Sequence, residues 1–122
     1  MNNDWKGKSY HAVSPSQYSK GVSILINKDF NAHLINTHTT NDGRCVMVNI
    51  RFKGNVYSIC NIYAPTDAQY RKLFFISTKK WILDKTENKN CLIICGDLNC
   101  TLSDIDRKVQ NYDSSQPCFK AL

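Results

Sequence analysis

The sequence predicts an α/β fold in which an antiparallel meander of strands precedes one long helix and a further strand. Short β-branched runs separated by turn signals occupy the chain as far as Tyr63. The apolar spacing then changes from the period of a strand to that of a helix. A last apolar run ends in Gly96-Asp97-Leu98-Asn99. Open sheets bind their ligands at such strand ends, so this motif is the first place to expect chemistry.

The strands are predicted from β-branched residues and from the turns that separate them. Asp42-Gly43 and Lys53-Gly54 are tight-turn signals, because glycine adopts the positive φ that hairpin turns need. In the strand between these turns, Val46, Val48 and Ile50 alternate with Met47, Asn49 and Arg51. The alternation of residues 31–40 is weaker. The expected strands are residues 9–13, 21–26, 31–40, 45–52 and 56–63.

A helix is expected to begin after Thr66 or Asp67, either of which can cap it, and to end near Lys85. Its predicted core-facing stripe has the spacing i, i+3, i+4, i+7 and i+11 and consists of Tyr70, Leu73, Phe74, Ser77 and Trp81. Arg71 is expected on another face, together with the lysines. A strand over residues 91–96 follows, and Ser114 or Ser115 is predicted to cap a short final helix.

The charge balance favours a polyanionic partner. Sixteen Lys and Arg residues against ten Asp and Glu residues give a formal net charge of +6, which suits DNA or RNA. A solvated basic surface explains the same number equally well. No apolar stretch nears the roughly 20 residues of a membrane span, and the first residues lack a signal-peptide core. The chain is therefore expected to be intracellular, in the nucleus or cytoplasm, without membrane contact.

Six cysteines in an intracellular chain are expected to be reduced thiols, with no disulfide framework. A zinc site at Cys91, Cys95 and Cys100 is unfavourable. Cys91 and Cys95 would lie about 13 Å apart on one strand, which zinc–sulfur bonds of about 2.3 Å cannot span. These cysteines are instead expected to be small buried hydrophobic residues.

Polar side chains end two of the predicted strands, Tyr63 at the first and Asp97 with Asn99 at the second. A carboxylate and an amide have no partner in an apolar core, so they need either solvent or chemistry. Two structural alternatives stay open. Tyr63 could instead be an interface tyrosine at a strand end, and Asp97 with Asn99 could form an Asx turn or a helix cap.

Two motifs, Asn61-Ile62-Tyr63-Ala64-Pro65 and Gly96-Asp97-Leu98-Asn99, flank the predicted helix in this order. Together they resemble the endonuclease/exonuclease/phosphatase superfamily, and most closely the apurinic-type endonuclease domain of non-LTR retrotransposons. Supporting motifs are Gly21-Val22-Ser23-Ile24-Leu25-Ile26, Asp42-Gly43-Arg44 and Asp106-Arg107. The resemblance runs from about Trp5 onward. It implies a β-sandwich flanked by helices, incomplete here, with residues 1–122 as a single partial domain.

The function implied by this resemblance is metal-assisted hydrolysis of phosphodiesters in DNA. Asp97 would orient or deprotonate the attacking water and bind Mg²⁺, while Asn99 would hold the aspartate and the water in line. Tyr63 would donate its hydroxyl to a phosphoryl oxygen, and Mg²⁺ would neutralise the phosphate. Thr66, which stands where the family often has asparagine, and Arg107 would bind the substrate. An Asp106–Arg107 ion pair is the alternative for Arg107. No small-molecule cofactor is implied.

The resemblance also implies residues that this chain does not contain. Family members have a metal-binding glutamate and an asparagine before the strand that begins at Gly21, and a Ser-Asp-His motif after Asp97. Here the one glutamate is Glu87, and no histidine follows His38. We therefore expect a nuclease fragment with negligible activity and marginal folding, because its partner sheet is truncated. A noncatalytic nucleic-acid-binding remnant, or a phosphodiesterase acting on a small phosphate ester, are the alternatives.

Overall fold

The computed structural model describes residues 6–13 and 21–100 of the chain. Within these residues, strands, one long helix and a 3₁₀ turn at Lys89–Cys91 follow one another along the sequence. The elements are β1 (Lys8–Ala12), β2 (Val22–Ile26), β3 (His33–Thr39), β4 (Cys45–Phe52), β5 (Asn55–Tyr63), α1 (Ala68–Lys85) and β6 (Leu92–Asp97). The predicted helix after Ser114 or Ser115 and the predicted Asp106–Arg107 pair lie outside the described residues.

The strands form two sheets that pack face to face. β1 and β2 pair antiparallel in the smaller sheet, and the larger sheet has the order β3-β4-β5-β6. The meander β3-β4-β5 is antiparallel, whereas β6 returns through α1 and lies parallel to β5. The predicted mixed α/β architecture is confirmed. The weak alternation of residues 31–40 has a local cause, because the register of β3 against β4 shifts between Leu34 and Asn36.

β4 is the centre of the molecule and is buried on both faces from Cys45 to Ile50. Val46 packs with Ala12 and Val22 of the smaller sheet. Met47, on the opposite face, packs in the cluster that contains Phe75 of α1. The alternation seen in the sequence therefore separates two buried layers.

The polar residue Asn49 is also buried in β4, and its amide is satisfied by hydrogen bonds. Its Nδ2 donates to Asn36 Oδ1 at 2.6 Å and to the Lys85 carbonyl at 3.1 Å. Its Oδ1 accepts a hydrogen bond from the hydroxyl of Ser58. This network ties β3, β4, β5 and the end of α1 together, which is the usual condition for burying an amide.

Asp67 caps α1 as predicted, since its Oδ1 accepts a hydrogen bond from the Tyr70 N–H at 2.9 Å. The predicted core-facing stripe is wrong. Tyr70 and Leu73 are 62% and 65% exposed, and Ser77 is exposed as well. The buried face consists of Arg71, Phe74, Phe75, Thr78 and Ile82. Of the predicted stripe, Phe74 is buried and Trp81 is half-buried.

The error arises because apolar residues surround α1 on every side, so that the spacing fits more than one stripe. Arg71, which was expected on another face, is buried beside the helix start. Its guanidinium Nη1 donates to the Thr66 carbonyl at 2.8 Å, so the buried charge helps to fix the loop that precedes the helix.

The cysteines differ in burial, and five of them lie within the described residues as free thiols. Burial raises the pKa of Cys45 to about 11 and that of Cys60 to about 12. Cys95 is exposed, which corrects the expectation of a buried hydrophobic residue, while Cys91 and Cys100 are half-buried. The reason is that Cys95 lies on β6, whose one strand partner among the described residues is β5. No helix of the described part of the chain is long and apolar enough to cross a bilayer.

Candidate active site at the ends of two parallel strands

Tyr63 and Asp97 are neighbours across the sheet. They are register partners at the C-terminal ends of the parallel strands β5 and β6. Paired residues of adjacent strands project from the same face, and the strands lie about 4.8 Å apart. The two side chains thus leave the sheet on the same face, with Tyr63 half-buried and Asp97 exposed. The sequence-based expectation that these two strand ends converge is in agreement with this register.

Gly96 makes this arrangement sterically possible. Its φ is +133°, a conformation that residues with a side chain rarely adopt. A Cβ at this position would collide with the carbonyl oxygen of Ile62 on β5. Glycine therefore lets β6 approach β5 closely at the residue before Asp97.

Asn99 clamps the two strand ends together. Its backbone N–H donates to Asp97 Oδ1 at 2.9 Å, which closes an Asx turn, and its φ of +52° suits asparagine. The side-chain Nδ2 donates to the Ala64 carbonyl at 2.5 Å, and the Ala64 N–H donates to the Asp97 carbonyl at 2.8 Å. The Asx turn considered from the sequence is present. Asn99 holds the aspartate through its main chain and the neighbouring strand through its side chain.

Arg44 is a contributor that the sequence reasoning did not assign. Its Nη1 donates to the Tyr63 carbonyl at 2.9 Å, and its guanidinium carbon lies 5.4 Å from the centroid of the Tyr63 ring. Asp42 holds the main chain of Arg44 in place, because its Oδ1 accepts a hydrogen bond from the Arg44 N–H at 3.0 Å. A cation is thereby held against the face of the candidate phenol. The available signal was the Asp42-Gly43-Arg44 motif, which had been used only to support the resemblance.

An open cavity of about 400 Å³ lies where the smaller sheet meets these strand ends. Ser23 of β2 and Asn61 of β5 line it beside Tyr63 and Asp97. Asn61 Nδ2 donates to the Ser23 carbonyl at 2.8 Å and joins the two sheets at this point. Ser23 and Asn61 both belong to the motifs that carried the resemblance, but neither was predicted as a site residue.

The remaining predicted residues lie elsewhere or are not described. Thr66 is exposed, just before the helix cap, and Arg107 lies outside the described residues. Glu87 is held at the opposite end of the sheet, where its Oε1 accepts from Asn36 Nδ2 at 2.9 Å and its N–H donates to Ser58 Oγ at 3.1 Å. Ser58 precedes Tyr63 by five residues, about 17 Å along a strand. Glu87 therefore cannot act with Asp97.

The donor groups at the cavity decide whether it suits Mg²⁺. Carboxylate oxygens are suitable ligands, and Mg²⁺ sites commonly combine one or two carboxylates with substrate phosphates and water. Among the described residues that line this cavity, Asp97 carries the one carboxylate. Within residues 6–13 and 21–100, no group of three or more His, Cys, Asp or Glu residues could hold a metal. An ion at this cavity would therefore have to take its remaining ligands from a bound phosphate and from water.

The sequence of the chain is similar to that of a transposon-encoded protein. No family model matches the sequence. Over 122 residues the chain is 31% identical to the transposon TX1 uncharacterized 149 kDa protein of Xenopus laevis, a match that covers 99% of this chain and 9% of that protein. The chain is thus related to a transposon-encoded protein and spans about a tenth of its length.

Among solved structures, the crystal structure of D. rerio TDP2 humanized by 14 mutations matches with a TM-score of 0.56 and 14% identity, covering 82% of this chain and 43% of that one. A complex of D. rerio TDP2 with a single-strand DNA product gives a TM-score of 0.49 and 12% identity, covering 82% and 42%. The first match confirms the predicted endonuclease/exonuclease/phosphatase-type fold. The chain spans less than half of these proteins.

Proposed function

We propose that this chain is part of a transposon-encoded DNA endonuclease of the endonuclease/exonuclease/phosphatase superfamily, of the apurinic type found in non-LTR retrotransposons. The observation that carries the proposal is the register pairing of Tyr63 with Asp97 at two parallel strand ends. The shared fold and the 31% identity to a transposon protein support it. The proposed reaction is hydrolysis of a DNA phosphodiester in the cavity beside these residues.

In this reaction Asp97 acts on water. One of its oxygens accepts from the Asn99 N–H, which fixes the orientation of the carboxylate. The other oxygen is the proposed acceptor for a proton of the attacking water. Orientation matters as much as basicity, because an attacking atom held in line with the leaving oxygen needs no further ordering. Asn99 is therefore the proposed positioning residue for Asp97.

Tyr63 acts on the phosphate. Its hydroxyl is the proposed hydrogen-bond donor to a phosphoryl oxygen that gains charge in the transition state. The Arg44 guanidinium against the ring adds positive potential at the same place and fixes the Tyr63 main chain. Asp97 would also be the protein ligand of a bound Mg²⁺, which would supply further neutralisation of the phosphate. Thr66 and Arg107 are proposed to contact DNA phosphates, which the net charge of +6 favours.

The metal-binding part of this proposal is tested with Mn²⁺ as a paramagnetic substitute for Mg²⁺. We expect Mn²⁺ to broaden the amide NMR signals of Tyr63, Gly96 and Asp97 in the isotopically labelled chain. The variant Asp97→Asn retains an oxygen for the Asx turn but loses the charge, so the broadening should disappear. The matched variant Asp84→Asn, an exposed acid on α1, should behave like the unmodified chain. Equal broadening in Asp97→Asn would contradict the assignment of the ligand.

The chain on its own is expected to have negligible hydrolase activity. Among the described residues that line the cavity, Asp97 carries the one carboxylate, and removal of members of a catalytic unit costs orders of magnitude in rate. The assay is nicking of supercoiled plasmid by the purified chain in Mg²⁺. Clear nicking that disappears in Asp97→Asn would overturn this expectation and would establish the chain as an enzyme.

The presence of one carboxylate among the described residues of the cavity favours a second candidate, a noncatalytic nucleic-acid-binding remnant. This candidate predicts salt-dependent DNA binding that Mg²⁺ does not strengthen, with the same response to Mg²⁺ in Asp97→Asn. The nuclease proposal predicts instead that Mg²⁺ strengthens DNA binding and that Asp97→Asn removes this effect. A single set of binding curves with and without Mg²⁺ separates the two.

A further inference from the structure

A second cavity lies at the other end of the interface between the two sheets. Its volume is about 320 Å³, and it touches β2 at Ile26, whereas the candidate active site touches β2 at Val22 and Ser23. Its apolar floor includes Leu34 and Ile50. Pockets that hold small ligands begin at about 300 Å³, so this one suits a single small group.

The rim of this cavity is basic and polar. Lys8 and Lys28 line it together with Asn27 and Asn31, and the described lining includes no carboxylate. The rim therefore favours an anion. The side-chain amides of the two asparagines offer hydrogen bonds to the polar edge of a bound heterocyclic ring.

An aromatic stack forms one wall. Phe30 lines the cavity and is 41% exposed, and its ring stacks on Phe52 with centroids 4.4 Å apart and an interplanar angle of 27°. The Lys53 ammonium lies 5.3 Å from the centroid of Phe52. A partly exposed phenylalanine supported from behind by a second ring is a rigid surface on which a planar group can stack.

The loop that carries this wall is held by three short-range hydrogen bonds. The Phe30 N–H donates to the Asn27 carbonyl at 3.0 Å, and the Ala32 N–H donates to the Phe30 carbonyl at 2.9 Å. The Asp29 N–H donates to Asn27 Oδ1 at 2.8 Å. Lys28 and Phe30 are thus presented by a preformed turn, which lowers the entropy cost of binding.

We propose that this cavity binds one nucleotide of a single-stranded nucleic acid, with a phosphate at Lys28 and the base against Phe30. An apolar floor, an exposed aromatic face and lysines at the rim are the combination that single-strand binding surfaces use. The site is separate from the candidate active site and does not depend on Asp97. Because stacking and phosphate contacts do not distinguish the sugars, both DNA and RNA strands are expected to bind.

The test uses fluorescein-labelled oligothymidylate and oligouridylate with the 122-residue chain, followed by fluorescence anisotropy at several salt concentrations. Lys28→Ala should lower the salt dependence of binding by about 0.7 in the logarithmic slope, the value for one phosphate contact with a single strand. The control Lys72→Ala removes the same charge from an exposed position on α1 and should leave that slope nearly unchanged.

The aromatic wall is tested separately. Phe30→Leu keeps an apolar side chain but removes the stacking surface, and should weaken binding about tenfold. Phe30→Tyr restores a ring and should restore binding. The same pair of results would arise from a purely structural role of Phe30 only if Phe30→Leu unfolded the chain. A circular dichroism spectrum of Phe30→Leu that matches the unmodified chain excludes that explanation. The proposal is overturned if Lys28→Ala and Lys72→Ala have the same effect, or if folded Phe30→Leu binds as tightly as the unmodified chain.

Discussion

β4 and β6 belong to the same sheet and are both rich in apolar residues, yet their burial is opposite. β4 is buried without interruption from Cys45 to Ile50, although its sequence alternates and includes Asn49. β6 is apolar from Leu92 to Cys95, but Ile93 and Ile94 are each 49% exposed. The more hydrophobic pattern is therefore found in the more exposed strand.

The difference follows from the neighbours of each strand. β4 lies between β3 and β5, with the smaller sheet on one face and α1 on the other. Among the described residues, β6 has β5 as its one strand partner. Apolar residues on both faces are typical of a strand covered on both sides. Strand hydrophobicity thus indicates the burial that a strand requires, whereas the burial it obtains depends on the elements that contact it.

The largest expected effect is the loss of stability when a side chain of β4 is truncated, compared with a truncation in β6. Met47→Ala in β4 should lower the free energy of unfolding by about 2–5 kcal/mol, because the fully buried side chain leaves a cavity. Ile94→Ala in β6 should cost less than about 1.5 kcal/mol, since half of the side chain is already in water. Urea denaturation measures both. Equal losses would show that β6 is covered in solution and would remove the contrast.

The second prediction concerns the point where β6 approaches β5. Gly96→Ala should destabilise the chain by about 3 kcal/mol or more, from both the positive φ and the collision with the Ile62 carbonyl. Gly54→Ala is the matched control, because this glycine also has a positive φ, of +82°, but open space around its Cβ position. It should cost about 1 kcal/mol. Similar losses in the two variants would mean that the close approach at Gly96 can relax.

The features predicted correctly from the sequence are those that local chemistry determines. The boundaries of β4 were predicted correctly because Asp42-Gly43 and Lys53-Gly54 fix the turns, with φ values of +50° at Lys53 and +82° at Gly54. The convergence of Tyr63 and Asp97 could be predicted for a different reason. A strand that returns after one crossover helix lies parallel to its predecessor, so that both C-terminal ends share one edge.

The features that the sequence did not reveal depend on tertiary contacts. The buried face of α1 could not be chosen, because apolar residues occur around the whole helix and the sheet decides which of them it covers. Arg44 over the Tyr63 ring is a contact between residues far apart in the chain. The exposure of Cys95 similarly reflects which strands surround β6, a property that its own apolar segment does not encode.

The smallest expected effect concerns the cysteines, which report the difference in burial between the covered strands and β6. Burial raises the pKa of Cys45 to about 11 and of Cys60 to about 12, against 9.0 for a free thiol. A thiol with a raised pKa stabilises the fold fully below pH 9, and this contribution is lost as the pH rises towards 11 and 12, because the unfolded chain ionises first. At pH 10 the loss should be on the order of 1 kcal/mol per thiol.

Cys60→Ala should therefore flatten the decline in stability between pH 9 and pH 10. Thiol labelling gives an independent measurement of the same contrast. In the folded chain at pH 8, Cys95 should react with a soluble maleimide well before Cys45 or Cys60, which react only after unfolding. Rapid labelling of all three thiols would show that β4 and β5 open as readily as β6.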